Sequence, residues 1–149
     1  MNEYAAQMLS SDQVISLWPE IKPLLAQSCL ANELTELTLT PEHILGLAVT
    51  DQCAVFGFFE NEKINLVLVI QFSMDDGHKA ASILAFAGND MMLYKKLYWN
   101  YIVDWLKAND ISYLDTYADQ RMAKIFQKRF GFSQSAVCVR LPLKEQFDG

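Results

Sequence analysis

Side chains able to perform covalent or metal chemistry are few in this sequence. It contains three cysteines and two histidines, Cys29, Cys53, Cys138, His43 and His78. Their spacing does not pair a thiol with an activating imidazole, and no cluster of carboxylates and histidines has the spacing of a metal site. An odd number of cysteines without metal spacing is typical of buried thiols in a reducing compartment. The sequence therefore predicts neither a cysteine nucleophile nor a bound metal.

The most informative segment runs from Tyr117 to Phe132 and ends in Gly-Phe. Its apolar residues recur at helical spacing and form one face: Met122, Ile125, Phe126 and Phe130. Asp119 can cap the start of this helix, and Gly131 suits the left-handed residue that ends one. We expect an amphipathic helix that buries Ile125 and Phe126 against a sheet.

Hydrophobic periodicity and turn signals predict the remaining elements. Ser10-x-x-Gln13 is a capping box before a helix that Pro19 and Pro23 kink or split. Thr40 caps a second helix with Pro41 in its first turn. We predict a three-stranded antiparallel meander, a long helix, a strand and, after the amphipathic helix, a last strand, at 54–59, 64–72, 79–87, 90–107, 111–117 and 134–143.

This order predicts one α/β domain over residues 1–149, with a mixed, mostly antiparallel sheet flanked by helices. Together with the strand–helix–Gly-Phe segment, it resembles the GNAT (acyl-CoA N-acyltransferase) superfamily over roughly residues 12–143. The resemblance implies a GNAT-like fold and acetyl-CoA as the cofactor.

In that family the turn after the fourth strand carries R/Q-x-x-G-x-G/A and holds the cofactor pyrophosphate with backbone amides. The motif falls here on residues 90–95, where Asp90, Leu93 and Lys95 replace the Arg/Gln and the two glycines. We therefore expect acetyl-CoA binding to be weak or absent. The resemblance nevertheless assigns candidate cofactor-binding positions, and these are Phe86, Ala87, Gly88, Asn89, Met91, Met92 and Lys124.

Many GNAT enzymes have a tyrosine four residues before the glycine of Gly-Phe, acting as general acid toward the departing thiolate. That position is Gln127 here, which cannot serve as an acid. Tyr117 is the candidate catalytic substitute. Asp75, Asp76 and His78 are candidates for the base by position only, and a solvated loop between strands is the better explanation of these residues.

The charge distribution limits the classes of partner. The net charge is −6, divided into −8 over residues 1–75 and +2 over residues 76–149. The acidic half disfavours nucleic acid, because phosphate contacts require clustered Lys and Arg. The longest apolar run, 66–70, is too short to cross a bilayer, and the N-terminus does not resemble a signal peptide. We expect no membrane partner and a location in the cytoplasm, or in the virion if the protein is encoded by a phage.

The long helix offers a surface for other protein subunits. Its apolar stripe is predicted as Tyr94, Leu97, Tyr98, Tyr101, Ile102 and Trp105. Trp99 lies off this stripe, so we expect it to be exposed as an anchor for another chain. This predicts a homo-oligomer or membership of a larger particle.

Two functions remain open. The string Leu17-Trp18-Pro19-x-Ile21-x-Pro23-Leu24-Leu25 resembles small GNAT-like proteins encoded among the virion and assembly genes of tailed phages. The preferred hypothesis is accordingly a phage-associated binding or assembly protein with little or no acetyl transfer. The alternative is a divergent acetyl-CoA-dependent N-acetyltransferase that acts on an amine of unknown identity.

Overall fold

The computed structural model describes residues 2–29, 40–117 and 120–135, together with residues 139, 141 and 143. It divides into two compact units, Met1–Tyr117 and Ala118–Gly149. The first unit contains five strands and four helices in the described ranges, in this chain order: β1 (Tyr4–Leu9), α1 (Ser11–Ser16), α2 (Trp18–Cys29), α3 (Pro41–Val49), β2 (Cys53–Glu60), β3 (Lys63–Asp75), β4 (His78–Gly88), α4 (Met91–Ala108) and β5 (Tyr113–Thr116).

The strands form one sheet in the order β1-β2-β3-β4-β5. Neighbouring strands are antiparallel except β4 and β5, which are parallel and joined through α4. The predicted meander and the parallel neighbour are thus confirmed, and the fold is mixed α/β. Strand β1 was not predicted from the sequence. It has only six residues and no regular apolar pattern, so its pairing with β2 is what identifies it as a strand.

Local helix signals act as the sequence indicates. Ser10 and Gln13 form the capping box, with hydrogen bonds of 2.8 and 3.2 Å. The first helical region is split, with the break at Leu17, directly before Trp18-Pro19. The Thr40 hydroxyl caps α3 by accepting the amide of His43 at 3.2 Å, and Pro41 occupies the first turn.

Helices α1 to α3 cover one face of the sheet. Their buried apolar residues pack with those of the strands in a continuous cluster that includes Val14, Ile21, Leu25, Ile44, Val55, Val67, Val69 and Ala85. Removal of this apolar surface from water is the main stabilising contribution on this side.

Helix α4 covers the opposite face with aromatic rings. Phe56 contacts Trp105 at 5.1 Å between ring centroids, and Phe58 contacts Tyr94 at 5.5 Å. Tyr94, Ile102 and Leu106 are the buried residues of this helix.

The predicted stripe of α4 is therefore partly wrong. Leu97 is 46% and Tyr101 is 47% exposed. Trp99, expected to be exposed, is half-buried and stacks on Phe86 of β4 at 6.5 Å. The error is one of helical phase: residues 94, 98, 102 and 105 follow the 3.6-residue repeat, whereas 97 and 101 lie on its flank.

The second unit contains α5 (Gln120–Arg129). Phe126 is buried and contacts Phe130 and Phe132, with ring centroids 5.3 and 5.1 Å apart, while Ile125 is half-buried. Gly131 has φ +79°, and the amide of Phe132 donates to the Phe126 carbonyl at 3.1 Å. The left-handed helix end predicted at Gly131 is confirmed. Asp119 lies outside the described residues, as do five of the ten residues of the strand predicted over 134–143.

Candidate functional site: a cleft between β4 and β5

Strand β5 is paired along its whole length, but only with the first part of the longer strand β4. Their register runs from Ala80↔Tyr113 to Ile83↔Thr116 and stops there. On the other side of β4, the register with β3 shifts between Val69 and Ile70, which leaves Leu84 as an extra residue. Such a bulge bends a strand and increases its local twist. Strand β4 continues for five residues, Leu84–Gly88, beyond the residue that pairs with the end of β5.

Because β5 ends at Thr116, the described residues leave a free backbone edge on the last part of β4. Within the residues that the structure describes, no strand pairs with the β5 side of β4 from Leu84 to Gly88. Amide and carbonyl groups on an unpaired edge can hydrogen-bond an extended ligand as they would another strand. We call the space beside the Leu84–Gly88 edge, beyond the end of β5, the cleft. It lies at the carboxyl ends of the two parallel strands, where α/β folds commonly bind ligands.

The turn from β4 to α4 is held in place by Asn65, the extra residue in a second bulge, on β3. The Asn65 carbonyl accepts the Asn89 amide at 2.9 Å, and its side-chain Nδ2 donates to Asp90 at 3.2 Å and to the Tyr94 hydroxyl at 3.3 Å. Gly88 has φ +137°, and a Cβ there would lie 2.3 Å from the Asn65 carbonyl oxygen. Only glycine fits this close approach.

The start of α4 presents backbone donors beside this turn. Asp90 is the N-cap residue in a left-handed conformation, with φ 59°, and its side chain makes no capping hydrogen bond. The amides of Met91, Met92 and Leu93 have no hydrogen-bond acceptor among the described residues. Free amides and the helix dipole favour an anion here, whereas the Asp90 carboxylate opposes one.

The cofactor-binding residues predicted from the sequence lie around the end of β4 and the start of α4. Ala87 is buried, Phe86, Gly88 and Met91 are half-buried, and Asn89 and Met92 are exposed. Lys124 is exposed on α5, in the second unit.

Tyr117 directly follows the last residue of β5. Its side chain is 78% exposed and lies one residue beyond the final strand pair, Ile83↔Thr116. Tyr117 therefore follows the end of β5, just as Leu84 follows the last paired residue of β4. The catalytic role remains a prediction.

Sequence reasoning missed a carboxylate beside the cleft. Asp115 is the single carboxylate on β4 and β5, and its Oδ1 accepts a hydrogen bond from the Ser82 hydroxyl at 2.5 Å. The pair Ser82↔Asp115 is the last but one before β5 ends. Both side chains are half-buried. The sequence did contain a signal for Asp115, because it is a charged residue in the apolar strand predicted over 111–117. A charged group that is partly buried in a strand needs a hydrogen-bonding partner.

The base candidates named from the sequence lie elsewhere. Asp75, Asp76 and His78 are exposed around the β3–β4 hairpin. His78 is six residues from Leu84 along β4, a distance of about 20 Å. The Tyr113 hydroxyl donates to the Asp75 carboxylate, and this interaction raises the pKa of Tyr113 to about 12. These groups lie at the opposite end of β4 from the free edge of Leu84–Gly88.

Cys53 behaves as a structural thiol. It is buried in the core beneath α1 to α3, and burial raises its pKa to about 11. The side chain of Cys29 and all of Cys138 lie outside the described part of the chain. The described residues contain no group of three potential metal ligands and no helix long and apolar enough to cross a membrane.

Comparisons with known proteins identify the fold. No protein-family model matches the sequence, and no curated protein matches it. Solved structures do. An aminoglycoside acetyltransferase from an uncultured soil metagenomic sample aligns with a TM-score of 0.69 and 12% identity, covering 95% of this chain and 99% of that one.

Two further acetyltransferases align over similar lengths. The ribosomal-protein-alanine N-acetyltransferase of Brucella melitensis gives a TM-score of 0.62 at 12% identity, covering 97% and 100% of the two chains. Glucosamine-6-phosphate N-acetyltransferase of Arabidopsis thaliana gives 0.62 at 16% identity, covering 95% and 99%. The fold of this chain is that of the GNAT acetyltransferases, as the sequence predicted.

Proposed function

We propose that this protein is an acetyl-CoA-dependent N-acetyltransferase. The observation that carries the proposal is the cleft between β4 and β5, with the free edge of Leu84–Gly88 leading to the open amides of Met91–Leu93. The comparisons support it, since the similar structures named above are acetyltransferases. They favour this alternative over a phage assembly role.

The residues of the cleft fit acetyl-CoA by the chemistry of their donors. The cofactor carries an extended arm with amide groups, which the unpaired β4 edge can bind as it would a strand. Its pyrophosphate is an anion, for which the first turn of α4 offers amides next to Gly88. Asp90 weakens the fit by about 1 kcal/mol through charge repulsion. Bound there, acetyl-CoA supplies an activated acetyl thioester.

Acetyl transfer to an amine needs a base and an acid, and two side chains near the cleft are proposed for these roles. The Asp115 carboxylate is the proposed base that takes a proton from the attacking amine, with the Ser82 hydroxyl holding its orientation at 2.5 Å. The Tyr117 hydroxyl is the proposed acid that gives a proton to the departing thiolate. Asp115 and Tyr117 are two residues apart in the sequence, at the carboxyl end of β5.

The acceptor is proposed as a primary amine. The similar structures named above act, by their names, on an aminoglycoside, a ribosomal-protein alanine and glucosamine-6-phosphate, and these share an amino group. The odd number of cysteines supports a reducing compartment such as the cytoplasm.

A second candidate function is binding without catalysis, and it rests on the residues that replace the cofactor and catalytic motifs. Asp90, the absence of glycine from residues 91–95, and exposed Gln127 in place of a catalytic tyrosine favour a GNAT-fold protein that binds without transferring acetyl. A role in a tailed phage particle rests on the Leu17–Leu25 resemblance alone.

Calorimetric titration with acetyl-CoA, joined to hydrogen exchange, tests the binding step. We expect saturable binding and slowed exchange of the amides of residues 84–88 and 91–93. Binding that protects other segments, or no binding at millimolar acetyl-CoA, would overturn the proposed site.

Release of free thiol in the presence of a panel of primary amines tests the transfer step. Asp115→Asn should lower kcat by about 100-fold or more, while acetyl-CoA affinity stays within about twofold. Asp76→Asn, an isosteric change at the remote hairpin, should leave the rate unchanged. Binding without thiol release for any amine would favour the second function.

A further inference from the structure

The outer edge of β1 has no strand partner among the described residues. Within the described ranges, β1 is the terminal strand of the sheet and pairs with β2 alone. The register with β2 is regular from Tyr4 to Leu9, and Glu3 continues it through hydrogen bonds with Asn61 of 2.8 and 3.0 Å. Every second residue therefore points an amide and a carbonyl outward.

The devices that normally prevent edge-to-edge pairing are absent from this strand. Tyr4–Leu9 contains no charged residue, no proline and no bulge. Natural sheets block such edges with lysine, proline or irregular backbone. In a chain with a net charge of −6, the uncharged strand Tyr4–Leu9 is also a place where two copies can meet with little repulsion, with Glu3 only at the end of the edge.

An exposed apolar strip adjoins this edge. Met8 pairs with Phe56 in the register, and the Tyr101 ring lies 6.5 Å from that of Phe56, so Met8 and Tyr101 share a face of the sheet. Leu97 precedes Tyr101 by one helical turn. Met8 is 46%, Leu97 46% and Tyr101 47% exposed.

The flank of α4 that carries Leu97 and Tyr101 faces β1 and not β4. The Tyr4 ring contacts Tyr94 at 5.9 Å, which places this side of the helix over the β1 edge. Trp99 contacts Phe86 of β4 and thus lies toward the other side. Edge and flank together form one surface, here called the β1 surface: Glu3–Leu9, Leu97 and Tyr101.

We propose that the β1 surface binds the same surface of a second copy, so that two sheets join through antiparallel β1 strands. A two-fold axis perpendicular to the sheet at Ala6 places Ala6 opposite Ala6, and Tyr4 of one copy opposite Met8 of the other. This arrangement keeps each residue on its own face and pairs the outward amides and carbonyls of both edges.

A second copy suits this surface better than a different partner. Antiparallel pairing makes the edge self-complementary, and the apolar flank of each copy meets its equivalent. The paired strand, Glu3–Leu9, is about 23 Å long. Because the contact consists of one strand of this length and a short apolar strip, we expect a weak dimer that forms only at high protein concentration.

Sedimentation velocity of the full chain over a concentration series tests the proposal. We expect a monomer–dimer equilibrium, with Met8→Lys and Tyr101→Lys each raising the dissociation constant at least tenfold. Ile15→Lys is the matched control, because Ile15 is 55% exposed on α1, away from this surface. Circular dichroism and thermal melts of each variant establish that it is folded.

The outcomes separate cleanly. A wild-type protein that stays monomeric to about 0.5 mM, a concentration at which even weak specific contacts associate, contradicts the proposal. So does a dimer that Met8→Lys and Tyr101→Lys leave intact. A dimer weakened by Trp99→Ala but not by Met8→Lys would move the interface to the opposite side of α4. None of these results depends on acetyl-CoA binding.

Discussion

At the scale of single residues, Asn65 organises the candidate cleft. Asparagine is a residue type common in exposed turns. Here its backbone and side chain form hydrogen bonds with Asn89, Asp90 and Tyr94. Replacing it would release the start of α4 from the sheet. The site therefore depends on a residue 23 positions before Gly88 in the chain.

Asp90 is predicted to weaken cofactor binding by its charge alone. Asp90→Asn should tighten acetyl-CoA binding several-fold, because removing a negative charge beside the pyrophosphate recovers about 1 kcal/mol. Asparagine tolerates φ 59° and can still accept the Asn65 hydrogen bond. Calorimetric titration measures the change.

Asp110→Asn is the control for Asp90→Asn. Asp110 also has a positive φ, 60°, but lies past the other end of α4. Equal effects of the two variants would mean that net charge, and not proximity to the phosphates, governs affinity.

Cys53 is expected to make stability depend on pH in the alkaline range. Its folded-state pKa is raised to about 11 from an ordinary value of 9.0. Above pH 9 the unfolded state loses this proton first, so stability falls as the pH rises toward 11. Urea unfolding at about pH 8 and about pH 10 should show wild type losing up to about 1 kcal/mol per pH unit more than Cys53→Ala. An identical pH dependence would mean that the thiol is accessible to water.

At the scale of elements, two glycines should respond oppositely to alanine. Gly131 ends α5 with φ +79°, so Gly131→Ala should destabilise by about 1 kcal/mol through backbone strain. Gly46 lies inside α3 and has open space where a Cβ would be added, so Gly46→Ala should stabilise by about 0.5–1 kcal/mol. Urea unfolding gives both values, and the same sign for both would contradict the helix assignments.

Phe126 should dominate the packing of the second unit. It is 5% exposed and contacts two other aromatic rings, so Phe126→Ala is expected to cost about 3–5 kcal/mol. Leu141, 79% exposed in the same unit, provides the control, and Leu141→Ala should stay within about 0.5 kcal/mol. A loss below 1 kcal/mol at Phe126 would show that the helical phase is wrong.

At the scale of the whole molecule, net charge predicts the absence of nucleic-acid binding. With −6 overall and −8 in the first 75 residues, the chain repels a phosphate backbone. Fluorescence anisotropy with a labelled DNA duplex at about 0.15 M salt should show no saturation below about 100 µM protein. Micromolar binding that falls steeply with added salt would reveal a local basic surface and contradict this prediction.

What the sequence alone determined are features set by neighbours along the chain. The Ser10 capping box, the Thr40-Pro41 helix start, the break before Pro19 and the helix end at Gly131 each depend on a few consecutive residues, and all are present. The alternation of apolar residues and short turns likewise predicted the meander, because period-2 patterns reflect strand geometry directly.

What only the tertiary structure decided are features set by residues far apart in the chain. β1 is a strand because β2 pairs with it, and the flank of α4 that carries Leu97 is exposed because no element in the described ranges covers it. Asp115 meets Ser82 across 33 residues of sequence, just before β5 ends and β4 continues past its bulge at Leu84. Strand register and bulges arise from three-dimensional packing, which local propensity does not encode.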